Sequence, residues 1–108
     1  MTAPAVLAAL AGVTGAVEVT GSGPLAAEVR RLLGARPSQA GGAPAAVVET
    51  TGERAAVAEA LRRVATLGTV VLAGPVPSAP VTLDLYADLH VRGLTVVGLP
   101  TGGAADRP

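Results

Sequence analysis

The chain has 108 residues, enough for one hydrophobic core and too few for two. Eight basic residues, all arginine, balance eight acidic ones and leave no electrostatic footprint for nucleic acid or anionic lipid. The absence of cysteine excludes disulfides and thiolate metal sites, and a single histidine cannot build a zinc site without several carboxylates.

Half of the residues are hydrophobic, yet no apolar run approaches the ~18 residues of a membrane span. The first twelve residues lack the basic start of a signal peptide, so a soluble, cytoplasmic domain is expected. Tyr86 is the sole aromatic residue, so the core is expected to consist of Ala, Val and Leu, each contributing less on burial than a ring. Oligomerisation would help such a core.

In chain order, residues 4–11 are rich in Ala and Leu and stop at Gly12, which predicts a short helix. Residues 16–20 form a β-branched run between glycines, the first strand. Gly21, Ser22, Gly23 and Pro24 then open a helix with Leu25, Val29, Leu32 and Leu33 on one stripe and Gly34 as its stop. Residues 36–44 hold only turn formers and read as a loop. A buried-type strand at 45–49 follows, and Thr50 and Glu53 have capping-box spacing for a helix whose stripe is Val57, Ala60, Leu61 and Val64. Residues 69–73 are a third apolar strand, broken by the proline-rich loop at 74–80. Residues 84–90 can make two helical turns, and residues 94–98 are the last strand, with 101–108 as a frayed tail. Strands that alternate with helices and are apolar throughout predict an α/β fold: a minimal Rossmann-like three-layer sandwich of about four mostly parallel strands with helices on both faces.

The turn Gly21-Ser22-Gly23-Pro24-Leu25-Ala26 stands between a predicted strand and a predicted helix, the context a dinucleotide fingerprint requires. There the first glycine makes the tight bend, the second lets the backbone approach a pyrophosphate, and the small third residue, here Ala26, packs the helix on the strand. The helix N-terminus offers N–H groups and partial positive charge to a phosphate. The acidic residue that grips the adenosine ribose, about 20 positions further on, has no counterpart, because residues 39–43 carry no carboxylate. A glycine bend kept for packing accounts for the same residues.

The order of pieces resembles the cofactor-binding domain of the medium-chain dehydrogenase/reductase family, the zinc alcohol, polyol and threonine dehydrogenases. The resemblance rests on VEVTGSGPLAAEVRRLLGA (17–35), on AVVETTGERAAVAEALRRVATLGTVVLAGP (46–75) and on VTLDLYADLHVRGLTVVGLP (81–100), nearly the whole chain. It implies that Gly21, Gly23 and Pro24 lie beneath a pyrophosphate, Thr51 and Gly52 near the ribose on the nicotinamide side, and Ala73 and Gly74 near the nicotinamide ring of NAD(P). Two departures accompany it. Where the family has a strand, a helix and a further strand, this chain has only residues 36–44, and the family's catalytic domain with its Cys, His and Glu zinc ligands has no counterpart. The resemblance also implies a homodimer that pairs its last strands, Leu94, Thr95, Val96, Val97 and Gly98, covering an apolar edge otherwise exposed.

His90, Tyr86 and Asp84 are the candidates for acid–base chemistry. A His in the last turn of a helix also meets the dipole favourably, no lysine exists to activate Tyr86, and Asp84 with Asp88 suits a solvated helix face better than a cation site. Three functional readings follow. The preferred one is a reductase-derived domain without dehydrogenase activity of its own, an accessory, scaffold or weak nucleotide-binding protein in a biosynthetic pathway. The second is a small cofactor-independent enzyme of isomerase or cyclase type, and the third an NAD(P)-dependent oxidoreductase completed by a partner chain.

Overall fold

The computed structural model describes residues 3–34, 42–75 and 80–99. The loop expected at 36–44 lies largely outside them, as do residues 76–79 of the proline-rich loop and the tail at 101–108. The elements are α1 (Ala3–Ala9), β1 (Val17–Thr20), α2 (Pro24–Leu33), β2 (Ala46–Glu49), α3 (Arg54–Arg63), β3 (Thr69–Leu72), a π-helical segment (Leu85–His90) and β4 (Thr95–Gly98). The four strands form one sheet in the order β1-β2-β3-β4, and every pairing is parallel. The expected architecture of parallel strands between helical layers is the one found.

Residue alternation along the strands sorts the core into two layers. On one face Val17, Ala46, Val48 and Val71 pack against Ala3, Val6 and Leu10 of the first helical turns and against Val29 of α2. On the other, Val47 and Val70 pack against Ala60, Leu61 and Val64, the stripe expected for α3, with Leu83, Leu89, Leu94 and Val96 half-buried around them. All four residues of β2 are buried, as befits a strand covered on both faces and paired on both edges. β1 is different: Val17 and Val19 face the first layer, while Glu18 and Thr20 occupy the other face, where Glu18 meets Arg63 of α3 at 2.5 Å.

The hands of the crossovers follow from this layering. Both β1–α2–β2 and β2–α3–β3 step one strand in the same direction across the sheet, yet α2 passes over one face and α3 over the other. Two such crossovers have opposite hands. The connection from β3 to β4 passes over the α3 face as well. Crossovers between parallel strands are almost always right-handed, and the α2 and α3 crossovers of this sheet cannot both be so.

Local chemistry explains the element ends. Pro24 occupies the first turn of α2, where no hydrogen bond is lost, and Gly34 ends it at φ 60° with its N–H donated to the Arg30 carbonyl. α1 is shorter than expected because its last turn tightens: Ala11 N–H donates to Ala8 O at 3.2 Å and Val13 N–H to Leu10 O at 2.9 Å. The segment read as two helical turns at 84–90 is a wide turn, with Val91 N–H on Tyr86 O at 2.9 Å and Leu94 N–H on Leu89 O at 3.1 Å, both five residues back. Asp84 caps it by accepting from the N–H groups of Tyr86 and Ala87, each at 3.0 Å.

The expected capping box at Thr50 and Glu53 is not formed. Glu53 holds the N-cap position of α3 without a side-chain cap bond, and the Thr50 hydroxyl instead donates to Thr20 O on β1 at 2.5 Å. At the other end of α3, Arg92 from the turn before β4 donates to Leu61 O at 2.5 Å and also to Val64 O. These carbonyls are among those a helix end leaves without partners. Replacing Arg92 by Met keeps much of the stem and removes the guanidinium. The loss of charge-assisted bonds is worth about 2 kcal/mol, and at about 4–8 °C per kcal/mol for a domain of this size thermal denaturation should show a fall of about 8–16 °C. An unchanged melting temperature would mean that Arg92 does not hold α3 to the sheet.

Candidate functional site

Because all strands run the same way, their C-terminal ends share one edge of the sheet. Gly21 follows β1, Thr51 and Gly52 follow β2, Ala73 and Gly74 follow β3, and Leu99 follows β4. Every sequence-predicted cofactor residue lies along this edge. α2 leaves β1 toward one face and α3 leaves β2 toward the other, so the two helices diverge between the ends of β1 and β2, the position at which open α/β sheets place their ligand crevice.

The floor of the crevice is built around Glu49, 1% exposed at the end of β2. Its carboxylate accepts from the Thr20 hydroxyl at 2.7 Å, the Thr51 hydroxyl at 2.8 Å, Thr51 N–H at 3.0 Å and Gly52 N–H at 2.7 Å. No cation is among these partners; the charge is held by backbone dipoles and hydroxyls alone. An acid at the end of a strand is the kind of residue that grips an adenosine ribose in a dinucleotide fold. Burial and four donors leave it no such role. The signal for the observed one is a single acid ending an apolar strand and followed by Thr-Thr-Gly, whose N–H groups turn back on it.

Contacts among the strand ends account for three of the four glycines. A Cβ on Gly74 would come within 2.6 Å of Gly52 N and 2.8 Å of Thr50 O, and one on Gly52, at φ 70°, would fall onto Pro75 O. A Cβ on Gly21, at φ 96°, would fall onto the Thr50 hydroxyl. Gly23 differs: its backbone is extended at φ −79° and ψ −175°, and a Cβ there meets nothing within 4 Å. The N-terminus of α2 beside it carries no side-chain cap. Ala26 is fully buried against the sheet, as a third fingerprint position requires. On the outer side of β1, Arg30 donates to Val19 O at 2.8 Å and Gly21 O at 2.6 Å, covering carbonyls that an edge strand leaves open.

The acid–base candidates are not gathered here. Tyr86 is 73% exposed and makes an edge contact with the His90 ring at a centroid distance of 5.7 Å. The Asp84 carboxylate is committed to the cap of its own turn, and Asp88 accepts from Asp84 N–H at 2.8 Å. Among the described residues no group of three or more His, Asp or Glu could hold a metal ion, and no helix is long and apolar enough to cross a membrane. Arg31, Arg62 and Arg63 lie outside, paired with Glu28, Glu59 and Glu18; the Arg31 hydrogen bond holds the Glu28 carboxyl below its ordinary range. On the α3 side of the edge, a cavity of 520 Å³ opens between α3, the π-helical segment and the ends of β3 and β4.

No protein-family model matches the chain, and no curated protein matches its sequence. Two of the solved structures similar to it illustrate the likeness. One, from Clostridium scindens, is of a protein assigned as a zinc-binding dehydrogenase; the match has a TM-score of 0.78 and 18% identity over 90% of this chain and 39% of the other. The second, from Sinorhizobium meliloti, is of a protein also assigned as a zinc-binding dehydrogenase and bound to NADP, with a TM-score of 0.53 and 27% identity over 85% of this chain and 32% of the other. The chain therefore spans 39% and 32% of the length of these two proteins. It has an α/β fold of Rossmann type, and its structural neighbours are zinc-binding dehydrogenases.

The Glu49 cluster makes a direct test of the site's framework. A Glu49→Gln amide turns donors toward the N–H groups and hydroxyls that a carboxylate oxygen satisfied. The penalty is about 3 kcal/mol, read as a fall of about 12–24 °C in melting temperature. A variant melting within a few degrees of the parent would show that the carboxylate does not hold the strand ends together.

Proposed function

We propose that this chain is a reductase-derived nucleotide-binding domain that holds NAD(P) weakly through its pyrophosphate, performs no dehydrogenase reaction on its own, and serves as an accessory or scaffold in the cytoplasm. The observation that carries the reading is the Gly23 position: extended backbone, open space, and an uncapped helix N-terminus at the crevice where α2 and α3 diverge. In this reading Gly21, Gly23 and Pro24 underlie the pyrophosphate, Thr51 and Gly52 stand by the ribose on the nicotinamide side, and Ala73 and Gly74 by the nicotinamide ring. Weak affinity follows from the adenosine end, for which the described residues offer no free carboxylate beside β1; Arg30 occupies that edge instead. The NADP bound to the Sinorhizobium meliloti neighbour supports the choice of ligand.

Gly23→Asp separates binding from folding. The extended backbone and empty surroundings accept the side chain, and Asp is a good N-cap, so the melting temperature should hold or rise slightly. Its charge would stand against the pyrophosphate, and like charges about 4 Å apart repel by ~4 kcal/mol near a protein surface. Calorimetric titration with NADPH should therefore show affinity weakened by more than about tenfold. Equal affinity in parent and variant would move the nucleotide away from this turn, and a parent without saturable binding would end the nucleotide reading.

The assembly proposed with it is a twofold dimer through β4. Thr95 and Leu99 donate inward to Gly68 and Leu72, so by alternation the N–H groups of Val96 and Gly98 point to the open edge. Leu85, Tyr86 and Val91 are well exposed in the segment that precedes β4. Val96→Pro removes an outward donor and no inward one; light scattering should show the dimer mass halved. A mass that stays dimeric would exclude edge pairing.

A further inference from the structure

The 520 Å³ cavity on the α3 side falls in the range of small-molecule sites. Val57 and Leu61 of α3, Leu72 of β3, Val96 of β4, and Leu83 and Leu89 around the π-helical segment form its walls. Water is a poor occupant, because an ordered molecule needs two to four polar partners and these walls are aliphatic. Glu49 reaches the lining, but its oxygens are already engaged by Thr20, Thr51 and Gly52. No arginine or histidine is among the lining residues, so an anionic head group would find no countercharge. The chain cannot fill the space with a ring of its own, since Tyr86, its one aromatic residue, stands in solvent.

We infer that this cavity is a binding site for a neutral molecule with an aliphatic chain, distinct from the Gly23 crevice. The two spaces share Glu49, Gly52 and Gly74 as boundary; Gly21, Gly23 and Pro24 do not line the cavity. The walls supply hydrophobic contact without a charged anchor, so they select chain length and reject charge at the buried end.

A homologous series tests this. Hexanamide, octanamide and decanamide are titrated calorimetrically, with octanoate as the charged counterpart of octanamide. Affinity should rise about fourfold per methylene and level off when the chain fills the cavity, and octanoate should bind at least about tenfold more weakly than octanamide. Val57→Phe puts a ring into the space and should weaken decanamide binding by about tenfold or more, while NADPH titration and Gly23 dependence stay as in the parent. If Val57→Phe does not fold, Val96→Leu fills the opposite wall with a smaller change and should shorten the chain length at which affinity levels off. Absence of saturable amide binding, equal binding of octanoate, or a length series unmoved in both variants would overturn the site, and none of these bears on nucleotide binding.

Discussion

A buried carboxylate ties the upper edge of this sheet together. Glu49 draws Thr20 from β1 and Thr51 and Gly52 from its own turn onto two oxygens, and that arrangement sets Thr50 against Gly21 and Gly52 against Pro75. Gly74 then fits over Thr50 and Gly52 because nothing projects from its own Cα. The carboxylate thereby joins the ends of β1 and β2, and close packing at Gly74 adds the end of β3. Removing a charge from water is expensive unless donors replace the water; here two hydroxyls and two amides do so, and the result is a strand-end surface formed before any ligand arrives. A preformed surface spends little of its binding energy on ordering itself.

The second constraint is topological. In an open doubly wound sheet the strand order reverses, so helices can cover both faces while every crossover keeps the right hand. Here the order runs straight from β1 to β4, and covering both faces requires one crossover of the other hand. The arrangement keeps one useful feature of the reversed order: at β1 and β2 the succeeding helices still part to opposite faces, so the crevice between their ends survives. It also turns β1 into an edge, which explains why its α3-facing residues are Glu18 and Thr20 and why Arg30 reaches over its carbonyls.

Those layers were legible because they depend on residue class. Val-Val runs bounded by glycine mark β2, β3 and β4, and the spacing of Val57, Ala60, Leu61 and Val64 marks the buried stripe of α3. What failed was local grammar with a distant competitor. Thr50 has the spacing of a cap, but β1 presents the Thr20 carbonyl to it at 2.5 Å, and that partner lies thirty residues away in sequence. The cap device is real at Asp84, where nothing distant competes. Arg92 was unreadable for the same reason, since its acceptors belong to α3. The glycine bend was placed correctly at the end of β1, yet only coordinates separate Gly21, required by Thr50, from Gly23, required by nothing in the chain.

The near absence of rings has a consequence for how the two candidate spaces relate. Small aliphatic side chains fill the layer under α1 and α2, with Val6, Val29 and Val48 inaccessible to solvent and Leu10 buried beside them. On the α3 side the π-helical segment stands over the sheet on Leu83, Leu89 and Leu94, which are only half-buried, and aliphatic side chains of that length leave the cavity between them. Glu49, Gly52 and Gly74 border this cavity at the strand ends, and Gly52 N–H is held by the Glu49 carboxylate. A change at either glycine disturbs both spaces together, whereas Gly23 opens only onto the crevice and Val57 only onto the cavity. A difference in response between those two positions is therefore what distinguishes two independent sites from one continuous groove.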